Sequence, residues 1–164
     1  MATYVPRDLE FADRAPLRIE GEAVADVEPG AVWEVLADHR RWPEWFGAPL
    51  VSCEPTSEPA SGVGSTRRVV LRPNIAIDER FIAWEPDELW AFTVTDGPPG
   101  VRSIVERCTI HVESPGRTRV TYRMAVEPAG ALRPFGPLLR AGIGRSLKQA
   151  TAALVAEAQR RSGH

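Results

Sequence analysis

The sequence predicts an α+β fold in which an antiparallel sheet curves around one long C-terminal helix. One observation is an apolar stripe from Leu132 to Ala158, whose residues recur every three or four positions, as in a helix with one buried face. Another is a series of segments in which apolar and polar residues alternate between short turns, a pattern typical of antiparallel strands. Because so long an apolar stripe requires a large apolar partner, we expect the sheet to cover the helix.

The first part of the chain divides into an N-terminal extension and a strand. Residues 1–16 show no clear hydrophobic period, although Tyr4, Leu9 and Phe11 could attach them to the domain. Chain termini are usually held loosely, so we treat these residues as an extension and expect a single domain over residues 17–160. Within residues 17–27 apolar and charged side chains alternate, which predicts a first, half-buried strand.

Two short helices are expected after the first strand. Pro29 suits the first position of a helix, where its missing N–H costs nothing, and Asp38 can cap a second helix. The second helix carries three large aromatic residues, Trp42, Trp45 and Phe46. Either these rings plug one end of the sheet, or some of them also line the mouth of a pocket.

Six further alternating segments complete the predicted sheet. Their connections are short, so neighbouring strands are expected to pair antiparallel. The segments are residues 50–54, 65–72, 75–85, 89–95, 102–113 and 118–126. The predicted order is therefore strand, two short helices, about six strands and one long helix.

Composition and charge argue against several classes of protein. A chain of 164 residues suffices for one domain with one core. The formal net charge of -2, with both signs scattered along the chain, argues against a nucleic-acid partner. Cys53 and Cys108 lie in apolar runs outside any CxxC pair, so we expect reduced, packed thiols. No apolar run approaches about 18 residues, so we expect a cytoplasmic protein without a membrane span. The oligomeric state is left open.

Several segments resemble one known family. Residues 26–38 (DVEPGAVWEVLAD) and 42–45 (WPEW) resemble the N-terminal signature of the START-like (SRPBCC) superfamily, specifically its polyketide cyclase/dehydrase branch. Residues 62–65 (GVGS) resemble the glycine-containing start of the third strand, and residues 116–122 (GRTRVTY) resemble the turn into the last strand. The resemblance covers about residues 17–158, and its motifs concern the fold more than the activity.

This resemblance implies a helix-grip fold, with a seven-stranded antiparallel sheet wrapped around the C-terminal helix and a cavity between them for hydrophobic molecules. The family includes aromatase/cyclases and lipid and hormone binders, and it shares no universal catalytic residue. We therefore expect a small hydrophobic ligand, lipid or polyketide-like, and leave open whether the protein is a polyketide cyclase/dehydrase.

An alternative is a non-catalytic interaction module of the chaperone- or ribosome-associated type, which would use the outer face of the sheet. The cavity distinguishes the two hypotheses. Large side chains that meet in the middle would fill it and favour the interaction module. A gap of roughly 300 Å³ or more would favour a ligand.

A few polar residues share the strand phase that faces the helix, and they are the candidate catalytic groups. Glu106 is the expected acid/base, with Tyr122 or Arg67 as the hydrogen-bond donor to a carbonyl oxygen. Such a set could assist the enolisation and loss of water that cyclisation of a poly-β-ketone requires. The alternative is that Arg67 pairs with Glu79 or Glu106 near the rim, where ion pairs are common and contribute little.

The expected ligand contacts are the inward residues of the strands, the aromatic residues of the second short helix and the apolar face of the long helix. They are Trp42, Trp45, Phe46, Glu79, Phe81, Trp90, Phe92, Cys108, Met124, Phe135, Leu139, Ile143 and Leu147. The three histidines form no metal-ligand spacing, and no nucleotide or hydrolase motif is present. We expect neither a metal nor a cofactor.

Two glycines interrupt the predicted long helix. Gly142 and Gly144 each weaken a helix by about 1 kcal/mol relative to Ala. They indicate close packing or a slight bend, or else that missing side chains leave room for a ligand.

Overall fold

The computed structural model describes residues 1–47, 49–130, 134 and 136–163. An antiparallel sheet curls around a long C-terminal helix, which confirms the predicted architecture. The strands are β1 (Ala2–Thr3), β2 (Leu17–Ala25), β3 (Leu50–Pro55), β4 (Thr66–Leu71), β5 (Ile75–Glu85), β6 (Leu89–Gly97), β7 (Val101–Ser114) and β8 (Arg117–Pro128). The helices are α1 (Phe11–Arg14), α2 (Pro29–Ala37), α3 (Trp42–Trp45) and α4 (Gly136–Arg161), with a 3₁₀ turn at His39–Arg41.

Seven strands form the main sheet, in the order β2-β8-β7-β6-β5-β4-β3, and neighbouring strands are antiparallel. This is the sheet that a helix-grip fold requires. β1 pairs with the end of β6 and lies off this path. α4 packs mainly against β2 and also contacts α2 and β8, so the C-terminal helix lies against the sheet as predicted.

A glycine in β2 lets α4 approach the sheet closely. A Cβ atom added at Gly21 would lie 2.5 Å from Thr151 Oγ1 and 2.8 Å from the Leu147 carbonyl oxygen. The glycines within the helix behave differently. A Cβ at Gly142 would meet no atom within 4 Å, and one at Gly144 would touch only Ile19 at 3.5 Å. Close packing therefore explains Gly21 and does not explain the two helix glycines.

The N-terminal residues are held against the outer face of the sheet. β6 and β7 pair only as far as Thr93 and Val105, and the N-terminal segment follows where they separate. The Tyr4 N–H donates to the Thr95 carbonyl, and the Tyr4 hydroxyl donates to the Pro98 carbonyl at 2.7 Å. Further along the extension, small side chains bury on the sheet. Ala12 and Ala15 form a buried cluster with Val105 and Ala125.

The structure bears on two details of the sequence prediction, the bounds of the long helix and the role of Asp38. The described part of α4 begins at Gly136 and ends at Arg161, whereas the predicted start at Leu132 lies outside the described residues. Asp38 makes no side-chain cap to the turn that follows it. Its carboxylate accepts a hydrogen bond from Arg161 at 3.1 Å, which ties the end of α4 to the α2–α3 region.

Candidate functional site

A cavity of about 280 Å³ lies between the concave face of the sheet and α4. Its wall is mostly apolar. The lining residues are Trp42, Phe46, Pro49, Leu50, Arg67, Val69, Leu71, Ile77, Glu79, Phe92, Glu106, Tyr122, Met124, Ile143, Ser146, Leu147 and Ala150. The cavity is thus bounded by the α3 region, six strands of the sheet and the middle of α4.

Strand register brings four polar side chains to this wall. Arg67 of β4 lies directly opposite Glu79 of β5. On the neighbouring pair, Glu106 of β7 is opposite Met124, so Tyr122 of β8 lies diagonally across from it. Side chains two positions apart on a strand share a face, and diagonal neighbours on that face remain within reach of long side chains. The result is one polar cluster on an otherwise apolar wall.

The first half of the cluster is a buried ion pair. Arg67 Nε donates to Glu79 Oε2 at 2.5 Å, and the two side chains are only 1% and 7% exposed. Arg67 therefore pairs with Glu79, but the expected position of the pair near the rim is wrong, because the pair is buried inside the curled sheet. Burial raises the pKa of Glu79, and the charge and hydrogen bond of Arg67 oppose that rise. Because Arg67 remains protonated and donates directly to it, the carboxylate of Glu79 is the ionised one of the cluster.

Aromatic rings surround the Arg67 guanidinium. Its central carbon lies 4.2 Å from the nearest ring centre, that of Trp42, and an electron-rich ring face attracts a cation at such distances. The other rings are those of Trp90 at 4.8 Å, Phe92 at 4.9 Å and Phe81 at 5.2 Å. Arg67 Nη1 is buried and has no hydrogen-bond partner within the described residues.

The second half of the cluster is a hydrogen-bonded carboxyl group. The Tyr122 hydroxyl donates to Glu106 Oε2 at 2.7 Å. Burial raises the pKa of Glu106 to about 8, and the nearby negative charge of Glu79 adds to this, against the opposing effects of Tyr122 and Arg67. Burial also raises the pKa of Tyr122 well above its usual value. At neutral pH the Glu106 carboxyl group is therefore mainly protonated.

The structure brings most of the predicted site residues to the cavity wall. All three candidate catalytic residues, Arg67, Glu106 and Tyr122, line it. So do seven of the predicted ligand contacts: Trp42, Phe46, Glu79, Phe92, Met124, Ile143 and Leu147.

Other predicted contacts lie off the wall. Phe81, Trp90 and Cys108 are buried in the adjoining core, where His39 stacks on the Phe81 ring at 5.3 Å. Trp45 packs against Trp42 and Phe46. Leu139 is half-buried and packs on the core from α4. Phe135 lies outside the described residues. The shared strand phase is correct for Phe81 and Trp90, but the sheet curls at this end, so their rings meet each other and not the cavity.

Sequence reasoning also missed part of the wall. Val69, Leu71 and Ile77 share the phase of Arg67 and Glu79, and that alternation was the signal that could have identified them. Ala150 belongs to the apolar stripe of the long helix, which was its signal. Pro49 and Leu50 follow α3 in a connection without any period, and Ser146 is a small polar residue of α4, so no comparable signal marked these three residues.

Cys53 and Cys108 are free and buried. Burial raises the pKa of the Cys53 thiol to about 11.

Within the described residues, no three His, Cys, Asp or Glu side chains are grouped as a metal site would require. None of the helices in the described ranges has the length and apolar character needed to cross a bilayer.

The chain is similar in sequence to known proteins over most of its length. Residues 16–159 match the family described as polyketide cyclase/dehydrase and lipid transport. Uncharacterised proteins of Mycobacterium tuberculosis and Mycobacterium bovis are 34% identical over 145 residues, which cover 85% of this chain and 86% of each relative.

Solved structures show the same fold at low sequence identity. The Zhui aromatase/cyclase of Streptomyces sp. R1128 has a TM-score of 0.74 and 19% identity, over 88% of this chain and 94% of that chain. A START superfamily protein of Mycobacterium smegmatis has a TM-score of 0.73 and 12% identity, over 88% and 99%. These structures show that the fold is START-like. The match over residues 16–159 shows that the chain belongs to the polyketide cyclase/dehydrase and lipid transport family.

Proposed function

We propose that the protein binds a small hydrophobic molecule, lipid or polyketide-like, in the cavity between the sheet and α4. The observation that carries this proposal is the gap of about 280 Å³ with its mainly apolar wall. This volume lies just below the expected threshold of roughly 300 Å³, which is the lower end of the range of ligand pockets, so the fitting ligand is compact, such as one or two fused rings or a short chain.

The large aromatic side chains leave this space open. Phe81, Trp90 and Phe92 pack edge to face, with ring centres 5.1 to 6.1 Å apart. They fill the end of the sheet next to the His39 turn and stop short of Ile143 and Met124 at the other end. Their position therefore supports a ligand cavity over a fully packed interior.

The alternative, an interaction module that uses the outer face of the sheet, has less support. Part of that face is already covered by the N-terminal extension, since Val105 and Ala125 are buried beneath Ala12 and Ala15. Arg7 reinforces the cover through an ion pair with Glu127 at 2.6 Å. A partner that needed this part of the face would first have to displace the extension.

Acid/base chemistry on a bound carbonyl compound is a second candidate function. It is favoured by the protonated Glu106 carboxyl group on the cavity wall, held by Tyr122 at 2.7 Å. An acid with a pKa near the working pH can give a proton to a carbonyl or departing hydroxyl oxygen and take one back. Arg67 would polarise the carbonyl, and Tyr122 would orient the acid.

Native mass spectrometry tests the binding proposal directly. Purified protein is titrated with fatty acids, isoprenoids and aromatic polyketides, and its native mass is compared with its denatured mass. We expect a saturable one-to-one adduct. Ile143→Trp, which places a large ring in the cavity, should abolish it, whereas the matched control Leu138→Trp, at an exposed position on the same helix, should keep it. No adduct from folded protein, or an adduct unaffected by Ile143→Trp, would refute the proposal.

A turnover assay tests the second candidate. With a poly-β-ketone substrate, Glu106→Gln should lower the rate of cyclisation by about 10² to 10⁴, the range typical of a general acid/base. Equal rates for Glu106→Gln and the parent protein would exclude this role for Glu106.

A further inference from the structure

The polar cluster on the cavity wall is electrically balanced. The positive charge of Arg67 is matched by Glu79 at 2.5 Å. Glu106, the second carboxyl group, is hydrogen-bonded to Tyr122 and mainly protonated at neutral pH. The cluster thus contains one cation and one anion, and its remaining members are neutral.

Among the described residues, none of the side chains that couple electrostatically to Arg67 adds a second cation. His39 and Cys53 are the other titratable side chains whose charges couple to Arg67 in the described core. Burial, with the positive charge of Arg67, lowers the pKa of His39 to about 3, and burial raises that of Cys53 to about 11. Both are therefore uncharged at neutral pH.

One hydrogen-bond donor of the same cluster has no partner among the described residues. Arg67 donates to Glu79 through Nε, while its buried Nη1 lacks a partner. Glu106 accepts from Tyr122 through Oε2, and the proton that its carboxyl group carries at neutral pH makes it a second donor on the same wall. Buried donors are normally paired in folded proteins, so unpaired donors beside a cavity indicate an acceptor on the ligand.

We propose that this cluster selects neutral ligands that carry a carbonyl oxygen, such as a ketone or an aldehyde, and rejects the corresponding carboxylates. The inference rests on the proposed function of the cavity and names its ligand class. A carbonyl oxygen accepts from Arg67 Nη1 or from the Glu106 carboxyl group without adding charge. A carboxylate would be a second anion beside Glu79, and Arg67 can neutralise only one of the two. The other negative charge would stay unbalanced in an apolar enclosure, which is strongly disfavoured.

Two compounds of similar shape and different charge test this selectivity. 2-Acetylnaphthalene and 2-naphthoate are titrated against the full chain by isothermal titration calorimetry at neutral pH. The ketone is expected to bind at least about tenfold more tightly, because one unbalanced buried charge weakens binding by that much or more.

The variant Glu79→Gln tests whether the charge of Glu79 causes the preference for the ketone. Removal of the anion leaves Arg67 free to pair with the ligand, so the affinity for 2-naphthoate should rise at least about tenfold while that for the ketone changes little. Glu113→Gln, on the exposed end of β7, is the matched control and should leave both affinities unchanged. If Glu79→Gln does not fold, the double variant Arg67→Met, Glu79→Met replaces the buried pair by apolar side chains. It should keep the preference for the ketone and weaken ketone binding several-fold, because the Nη1 donor is lost.

The outcomes separate the inference from the function on which it rests. If 2-naphthoate binds the parent protein as tightly as the ketone or more tightly, the inferred selectivity is wrong and the cavity remains a ligand site. If Glu79→Gln leaves the affinity for 2-naphthoate unchanged, the charge balance is not its cause and the inference is overturned. If neither compound binds and the mass-spectrometric titration also shows no adduct, the proposed function itself fails.

Discussion

The two halves of α4 meet the same sheet in different ways. In residues 136–146, no side chain of the described residues is fully buried, and Leu138 is 71% exposed. This half lies over the cavity, to which it contributes Ile143 and Ser146. In residues 147–161 the helix buries Leu147, Leu154, Val155 and Ala158 in the core.

The second half is held by close contact and by charge. Gly21 lets the backbone of α4 approach β2, and at its end Glu157 accepts hydrogen bonds from Arg160 and Arg161. Arg161 also reaches Asp38. One apolar stripe therefore serves two purposes. Its second half anchors the helix in the core and adds Leu147 and Ala150 to the cavity wall, whereas its first half covers the cavity without being buried.

The largest expected effect is a difference in stability between the two halves. Leu154→Ala, in the anchored half, should lower the free energy of unfolding by about 2–5 kcal/mol, since it empties a fully buried site. Ile143→Ala enlarges an existing cavity and should lower it by less than about 1.5 kcal/mol. Urea denaturation of both variants measures this. Equal losses would show that the two halves are anchored alike.

Two glutamates, one on the cavity wall and one in the anchored half of α4, should make the stability of the protein depend on pH in opposite directions. Glu106, on the cavity wall, has its pKa raised from 4.5 to about 8, chiefly by burial. Glu157, in the anchored half, has its pKa lowered to about 2, chiefly by Arg160. Between about pH 4.5 and pH 8 the folded protein holds a proton on Glu106 that the unfolded chain has released, so this contribution to stability falls as pH rises.

Glu106→Gln should therefore flatten the fall of stability between pH 5 and pH 8. The effect is on the order of 2–4 kcal/mol, because each unit of pKa shift corresponds to about 1.4 kcal/mol. Glu157→Gln should have the opposite sign, since its ionised form stabilises the protein above pH 4.5 and that stability is lost as the pH falls toward 2. Melting temperatures measured from pH 2 to pH 8 test both variants. A Glu106→Gln profile parallel to that of the parent protein would contradict the neutral carboxyl group.

Two glycines provide a smaller contrast. Gly21→Ala places a methyl group against the Leu147 carbonyl oxygen and should destabilise by about 1–3 kcal/mol, because backbone would have to move. Gly142→Ala meets open space and should stabilise α4 by up to about 1 kcal/mol through helix propensity. Chemical denaturation measures both. If Gly142→Ala destabilises the protein, the first half of α4 is packed more closely than its described surroundings indicate.

Strand geometry explains which parts of the site the sequence could predict. Because side chains alternate in a strand, one phase assignment placed Arg67, Glu79, Glu106 and Tyr122 together, and the structure has all four on one wall. Alternation carries no information about curvature, so it did not reveal that the ion pair is buried or that Trp90 joins the core. For the N-terminal cover, the sequence indicated Tyr4 as an attachment residue, and Tyr4 is buried. It did not indicate Ala12 and Ala15, because these alanines are too small and too few to produce a period.

Hydrogen–deuterium exchange along α4, with and without saturating 2-acetylnaphthalene, tests whether the first half of α4 covers a ligand cavity while the second half anchors the helix. In the free protein, amides of residues 140–146 should exchange faster than those of residues 150–158, because only the second half is anchored in the core. Bound ligand should slow exchange from residue 140 to about residue 150, where α4 lines the cavity, and leave residues 152–158 unchanged. Uniform protection of α4 in the free protein, or no added protection in the first half with ligand, would contradict the division of α4 into an anchor and a cavity cover.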